Sequence, residues 1–194
     1  MEIPLLELAE LAQKIGAVLQ KHEIPYHLTG GVVASHYGET RNTQDVDIVI
    51  DFSKCKNRNT LFADLKSVLY VDRQAFDEAI QTNSMFQVLD NESVLRADIY
   101  VKSVLSKFPQ NVSWVNLAGD FLLPICSPED SVLSKLVWIK LGSDRSRKDV
   151  IAMLRVQQNL DLEYLEKTAE ELEVAGLLKE LRIQADSYDP HLVL

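Results

Sequence analysis

Apolar positions near the start of the chain recur at helical spacing. Leu5, Leu8, Leu11, Ile15, Val18 and Leu19 fall on one side of a helical wheel, so residues 4–22 are predicted to form an amphipathic helix. Pro25 follows closely, as expected after a helix stop. "YHLT" then reads as a short strand, and Gly30-Gly31 opens a second, short helix through "VVASHY" to Gly38. "ETRNTQ" is a polar loop, and "DVDIVID" is a strand rich in β-branched residues. Residues 58–82 read as one or two helices with Leu61, Leu65, Val68 and Leu69 on one face. "MFQVLDNESVLRADIYV" predicts two strands around a turn at Asp90-Asn91-Glu92-Ser93, and "VSWVNLAGDFLLPIC" a further pair turning at Gly119-Asp120. Ser127-Pro128-Glu129-Asp130 carries a capping serine, a proline at the first helical position and acids in the first turn, which marks a helix start. From there to Ala185 the pattern is helical, broken near Gly142-Ser143 and Asn159, with no internal repeat. This order predicts an α+β (mixed α/β) fold: a core over residues 1–126 and a helical region over 127–194 packed on it.

Composition narrows the class. With 46% hydrophobic and 25% charged residues in 194, the chain matches an ordinary soluble globular protein. No apolar run approaches the roughly 20 residues that span a bilayer, and the acidic, amphipathic start does not read as a signal peptide. Cys55 and Cys126 suggest neither a disulfide framework nor a zinc site, so a reducing cytoplasm is the expected location and no membrane is expected as a partner. The net charge of −9 is uneven: from Asn159 onward nine acids face three bases. Such a chain disfavours long nucleic acid, because phosphate contacts need Lys and Arg. The stretch from Lys135 to Arg155, with six bases and two acids, leaves a short RNA end open as a partner. A solvated helix face explains the same charges.

The chemistry concentrates between Leu28 and Asp51. Side chains two apart on a strand share a face, so Asp45, Asp47 and Asp51 project together while Val46, Ile48 and Ile50 point to the core. Carboxylates about 7 Å apart along a strand repel unless a cation lies between them, and magnesium pairs one or two carboxylates with substrate phosphates. In "VLRADIYV", Asp98 shares a face with Arg96 and Tyr100. If the two strands are neighbours, three acids meet. Gly30-Gly31, between strand and helix, lets backbone N–H groups approach a phosphate. Together these are the minimum equipment for two-metal phosphoryl or nucleotidyl transfer.

This arrangement resembles the signature of the polymerase β-type nucleotidyltransferase superfamily: Gly30-Gly31, a thirteen-residue spacer, Asp45-Val46-Asp47, and Asp98 between hydrophobic residues. The spacer "GETRNTQD" and the downstream "SPEDSVLSKLVWIKLGSDRSRKDVIAML" are similar to the abortive-infection toxin (AbiEii) group, and the likeness covers roughly residues 26–155. It implies a nucleotidyltransferase fold with a mixed central sheet. It also implies two Mg2+ ions, or Mn2+ in their place, held by Asp45, Asp47 and Asp98, with Asp98 helping to take the acceptor's proton. Thr29, Gly30, Gly31, Arg41, Thr43 and Lys135 are the expected nucleotide contacts. Gly31 departs from the serine that many relatives carry. The implied activity is transfer of a nucleoside monophosphate from a nucleoside triphosphate to an acceptor hydroxyl on a small molecule, an RNA end or a protein side chain. Two other classes compete: a catalytically degenerate member that binds a partner protein in a toxin–antitoxin type of system, and a glycosyltransferase using Asp-x-Asp.

Other residues invite plainer readings. His22, His27, His36 and His191 lack metal spacing, and Trp114 and Trp138 are expected in the core. Snorkelling over the core is the alternative for Lys135. Pairing with each other or with neighbouring helices is expected of Lys148 and Asp149.

Overall fold

The computed structural model describes residues 4–105, 108–109 and 112–187, so His191 and the end of the acidic tail lie outside it. By the contacts within it, the chain divides into one unit of residues 1–33 and 41–126 and a second of 34–40 and 127–194.

The first unit opens with helix α1 (Leu5–Lys21), whose Leu8, Leu11, Ile15 and Leu19 are buried as their spacing demands. Strand β1 (Tyr26–Thr29), the start of helix α2 (Gly30–Tyr37) and strand β2 (Asp45–Ile50) follow. Helix α3 (Arg58–Val68), strand β3 (Leu69–Val71) and helix α4 (Arg73–Thr82) come next, then strands β4 (Met85–Asp90), β5 (Arg96–Tyr100), β6 (Val112–Asn116) and β7 (Leu122–Cys126). The seven strands form one sheet in the order β3-β4-β5-β2-β1-β7-β6. It is mixed: β2 runs parallel to β5, and β1 to β7, while the other neighbours are antiparallel.

One face of this sheet is the core side. Helix α1 packs against β5, β2, β1 and β7, and a Cβ on Gly16 would overlap the Tyr26 hydroxyl, which places α1 on the face that Tyr26 shares with Leu28. Ile48, Leu28, Ile99 and Ile125 are all buried to 1% exposure or less. The residues that alternate with them therefore project from the opposite face.

Three expectations change. Residues 58–82 do hold two helices, but Leu69 is not on a helix face: Leu69–Val71 pairs with β4 as an edge strand between them, and the Asp72 side chain caps α4 by accepting from Ala75 N–H at 2.8 Å. Asp51 lies past the end of β2 and accepts from Ser53 N–H at 3.2 Å, capping a short 3-10 turn. Trp114 is 52% exposed and Trp138 37%, not core, because apolar neighbours along a chain do not share a face with the residue between them.

The second unit contains α5 (Pro128–Lys140), α6 (Arg145–Val156), α7 (Leu162–Glu171) and α8 (Ala175–Asp186). A break beyond those expected falls at Glu173, whose φ of +57° ends α7. Ser127 caps α5 as anticipated, its Oγ accepting from Asp130 N–H at 3.0 Å. Helices α5 and α6 pack together, as do α6 with α8, and α7 with α5 and α8. Asp130 is buried, and the Tyr164 hydroxyl donates to its Oδ1 at 2.6 Å. No helix among the described residues is long and apolar enough to cross a membrane.

Burial pushes the Asp130 carboxyl up, and the Tyr164 hydrogen bond pulls it part of the way back. A raised folded-state pKa means the native state holds its proton longer, so stability falls as pH rises through the interval above the ordinary Asp value. Tyr164→Phe removes the one pull toward the charged form. Its destabilisation should be about 1–3 kcal/mol at pH 7 and shrink toward pH 4, measured by urea unfolding at both.

Candidate active site

Strand β2 sets the geometry. Its antiparallel register with β1 puts Asp47 opposite Thr29, and its parallel register with β5 puts Asp47 opposite Asp98 and Asp45 opposite Arg96. Opposed residues share a face, so Thr29, Asp47 and Asp98 form one row across three strands. Asp45 lies one step along that face. All three acids are only partly exposed. The strand neighbours that the sequence required are therefore present, and the three acids do meet.

The glycine pair sits against this row. Gly30 follows Thr29 with φ +68°, a conformation that side chains disfavour, and a Cβ there would overlap the Asp47 carboxylate. Glycine is thus required twice, by backbone shape and by the carboxylate against it. Gly31 has a different constraint. A Cβ on it would fall 2.5 Å from Thr43 Oγ1 and 3.1 Å from an Arg41 guanidinium nitrogen. In this chain Thr43 and Arg41 fill the space into which a serine at position 31 would project, which gives a steric reason for Gly31. The loop returning to β2 brings Thr43, buried to 9% exposure, beside the glycines, and its hydroxyl makes a long 3.4 Å contact to Asp45 Oδ1.

Each acid also receives a donor from β4 or β5. Gln87 Nε2 donates to Asp98 Oδ1 at 2.9 Å. The Tyr100 hydroxyl reaches Asp47 Oδ1 at 3.3 Å, and Arg96 Nη2 lies 3.4 Å from Asp45 Oδ2. Burial first, then the charges of Asp47 and Asp98, push the Tyr100 phenol well up, so it remains protonated. The Cys126 thiol, at the end of β7, contacts Thr29 Oγ1 at 3.9 Å.

Among the described residues no three His, Cys, Asp or Glu side chains stand as a ready cage for a metal ion. The donor chemistry nonetheless suits a hard cation, since every acid offers oxygen and a Gly30 Cβ would meet Asp47 Oδ2.

Lys135 and Asp149 belong to the second unit. Lys135 Nζ is 2.7 Å from Asp149 Oδ2, with both side chains under 10% exposed. The lysine does not merely snorkel, and Asp149 pairs with it across α5 and α6. Gln87 escaped the sequence reading. Its signal was one polar residue between buried Phe86 and Val88, on the face that the register later gives to Asp98.

No family model and no curated protein matches the sequence. Among solved structures, an antigenic nucleotidyltransferase-like protein from Paracoccidioides brasiliensis superposes with a TM-score of 0.60 at 21% identity, over 94% of this chain and 90% of the other. The chain therefore has the nucleotidyltransferase fold. Looser likenesses reach lincomycin-bound lincosamide antibiotic adenylyltransferase LnuA, at TM-score 0.49, 15% identity and 81% and 100% coverage of this chain and that one. The antibiotic-resistance factor ANT(2'')-Ia follows at 0.46 and 14%, over 92% and 91%. At these scores neither bears on the substrate.

Two outcomes test the site's construction. Gly30→Ala should lose about 1–2 kcal/mol from left-handed backbone alone, and more from displacing Asp47. Gly31→Ala, opposed by movable side chains, should lose less, and urea unfolding of both variants measures the order. Lys135→Ala strands a buried carboxylate and should destabilise by about 3–5 kcal/mol. If instead stability holds and triphosphate binding alone weakens, Lys135 serves the nucleotide.

Proposed function

We propose that this protein is a magnesium-dependent nucleotidyltransferase. The observation that carries the reading is the row Thr29–Asp47–Asp98, closed at one end by a glycine pair whose first member, Gly30, leaves no room for a side chain. Asp45 and Asp47 would hold the ions, with Mn2+ able to replace Mg2+, and Asp98 would share the one on the acceptor side. Those ions would neutralise the triphosphate and lower the barrier to attack at its α-phosphorus. The N–H groups of Gly30 and Gly31, the hydroxyls of Thr29 and Thr43 and the Arg41 guanidinium would receive the phosphate oxygens.

In the transfer, an acceptor hydroxyl oxygen forms a bond to the α-phosphorus. The bond from that phosphorus to its bridging oxygen breaks and pyrophosphate leaves. Asp98 takes the hydroxyl proton, for which a carboxylate on the same row is suitably placed. Lys135, already tied to Asp149, is not required by this scheme. The acceptor is a hydroxyl on a small molecule, an RNA end or a protein side chain, and mass spectrometry of products formed with each nucleotide would identify it. The basic stretch 135–155 supports the RNA end, the toxin-like spacer supports a partner protein, and the free Cys55 and Cys126 support a reducing cytoplasm.

One observation favours a second reading. Arg96 lies beside Asp45 where a cation would otherwise help neutralise it, as in a member that binds nucleotide without catalysis. A glycosyltransferase reading has no such support in this fold.

Calorimetry with ATP, CTP, GTP and UTP should find at least one binder whose affinity collapses when magnesium is chelated; unchanged affinity would favour the non-catalytic reading. At about 100 times its dissociation constant that ligand adds roughly 2.7 kcal/mol, which raises melting by about 5–10 °C for a domain of this size. Asp47→Asn relieves like-charge repulsion, so the chelated variant should melt no lower than wild type while losing the ligand-induced rise. A lower melting point with that rise intact would make Asp47 structural.

A further inference from the structure

Two side chains that this chemistry leaves unassigned touch the acids from the β4 and β5 side. Gln87 stands opposite Asp98 in the antiparallel register of β4 and β5, and its amide donates to Asp98 Oδ1 at 2.9 Å. Tyr100, two residues beyond Asp98 on the same face, donates to Asp47 Oδ1 at 3.3 Å. A carboxylate rotates broadly about its terminal torsion unless something fixes its plane. Each of these donors fixes one oxygen of one acid.

The chemical type of the donors matters. An amide and a phenol are neutral, so they orient a carboxylate without cancelling its charge. Arg96 does the opposite to Asp45: it brings a positive charge to a long 3.4 Å contact with a half-exposed guanidinium. Gln87 is exposed, so its packing contributes little, and an exposed hydrogen bond is worth little to stability by itself.

We propose that Gln87 and Tyr100 are positioning residues, which set the carboxylate planes of Asp98 and Asp47 for a divalent cation. The inference rests on the divalent-ion reading of the site given above. It assigns to β4, which carries none of the acids, a part in assembling the centre. Donors that orient metal ligands are commonly worth 10–100-fold in metal affinity.

The test uses Mn2+ alone, titrated into the full chain stripped with chelator, with free ion read by electron paramagnetic resonance. Wild type is compared with Gln87→Leu and Tyr100→Phe, and thermal melts of the stripped proteins run in parallel. Each variant should bind Mn2+ about 10-fold or more weakly while melting close to wild type. Binding as tight as wild type in both variants overturns the positioning role and leaves the divalent-ion reading standing. Weaker binding accompanied by a melting point lowered by more than about 5 °C in both, more than 1 kcal/mol at this size, marks the pair as structural and also overturns it. A wild-type protein that takes up no Mn2+ at millimolar concentration removes the divalent-ion reading itself, and the inference with it.

Discussion

The register of β2 between β1 and β5 is the constraint on which the site depends. Because side chains alternate with a period of two, one residue of slip on either side would bring an isoleucine or valine into the acidic row and turn a carboxylate toward α1. What prevents slip is the other face of the same strand. Val46, Ile48 and Ile50 are fully or almost fully buried, and exchanging them with Asp45 and Asp47 would put charges where no partner exists. The apolar half of β2 therefore locates the polar half. Gly30 then locks the end of the row, since its backbone lies where any side chain would strike Asp47.

Gathering acids on one face raises the free energy of the site, and the surroundings show how the fold tolerates it. The acids remain partly exposed, so water screens them. Each also has a donor within reach, from Gln87, Tyr100, Arg96 or Thr43. The contacts that Arg96 and Thr43 make to Asp45 are long, both 3.4 Å, and contacts of that length exchange readily for a better ligand.

The second unit uses buried polar chemistry for a different end. Lys135 with Asp149 and Tyr164 with Asp130 each join two helices through a partnered polar group inside an otherwise apolar packing of Val132, Leu136, Met153 and Leu165. Partnered groups of this type specify which helix faces meet, because any other arrangement strands a charge or a carboxyl.

The sequence by itself determined what depends on near neighbours. Alternation in "DVDIVI" separated acids from core, the apolar repeat located α1, Ser127-Pro128 placed the start of α5, and Gly30-Gly31 marked the turn from β1 into α2. Only the tertiary structure decided what depends on pairing between distant segments. It put β5 beside β2 with Asp98 opposite Asp47, and it turned Leu69–Val71 into an edge strand because β4 supplied a partner. It brought Gln87 to Asp98, filled the space beside Gly31 with Thr43 and Arg41, and gave Lys135 to Asp149. A periodic pattern states which face a side chain occupies. It does not state which strand lies next to it or at what offset, because those follow from the packing of the whole sheet.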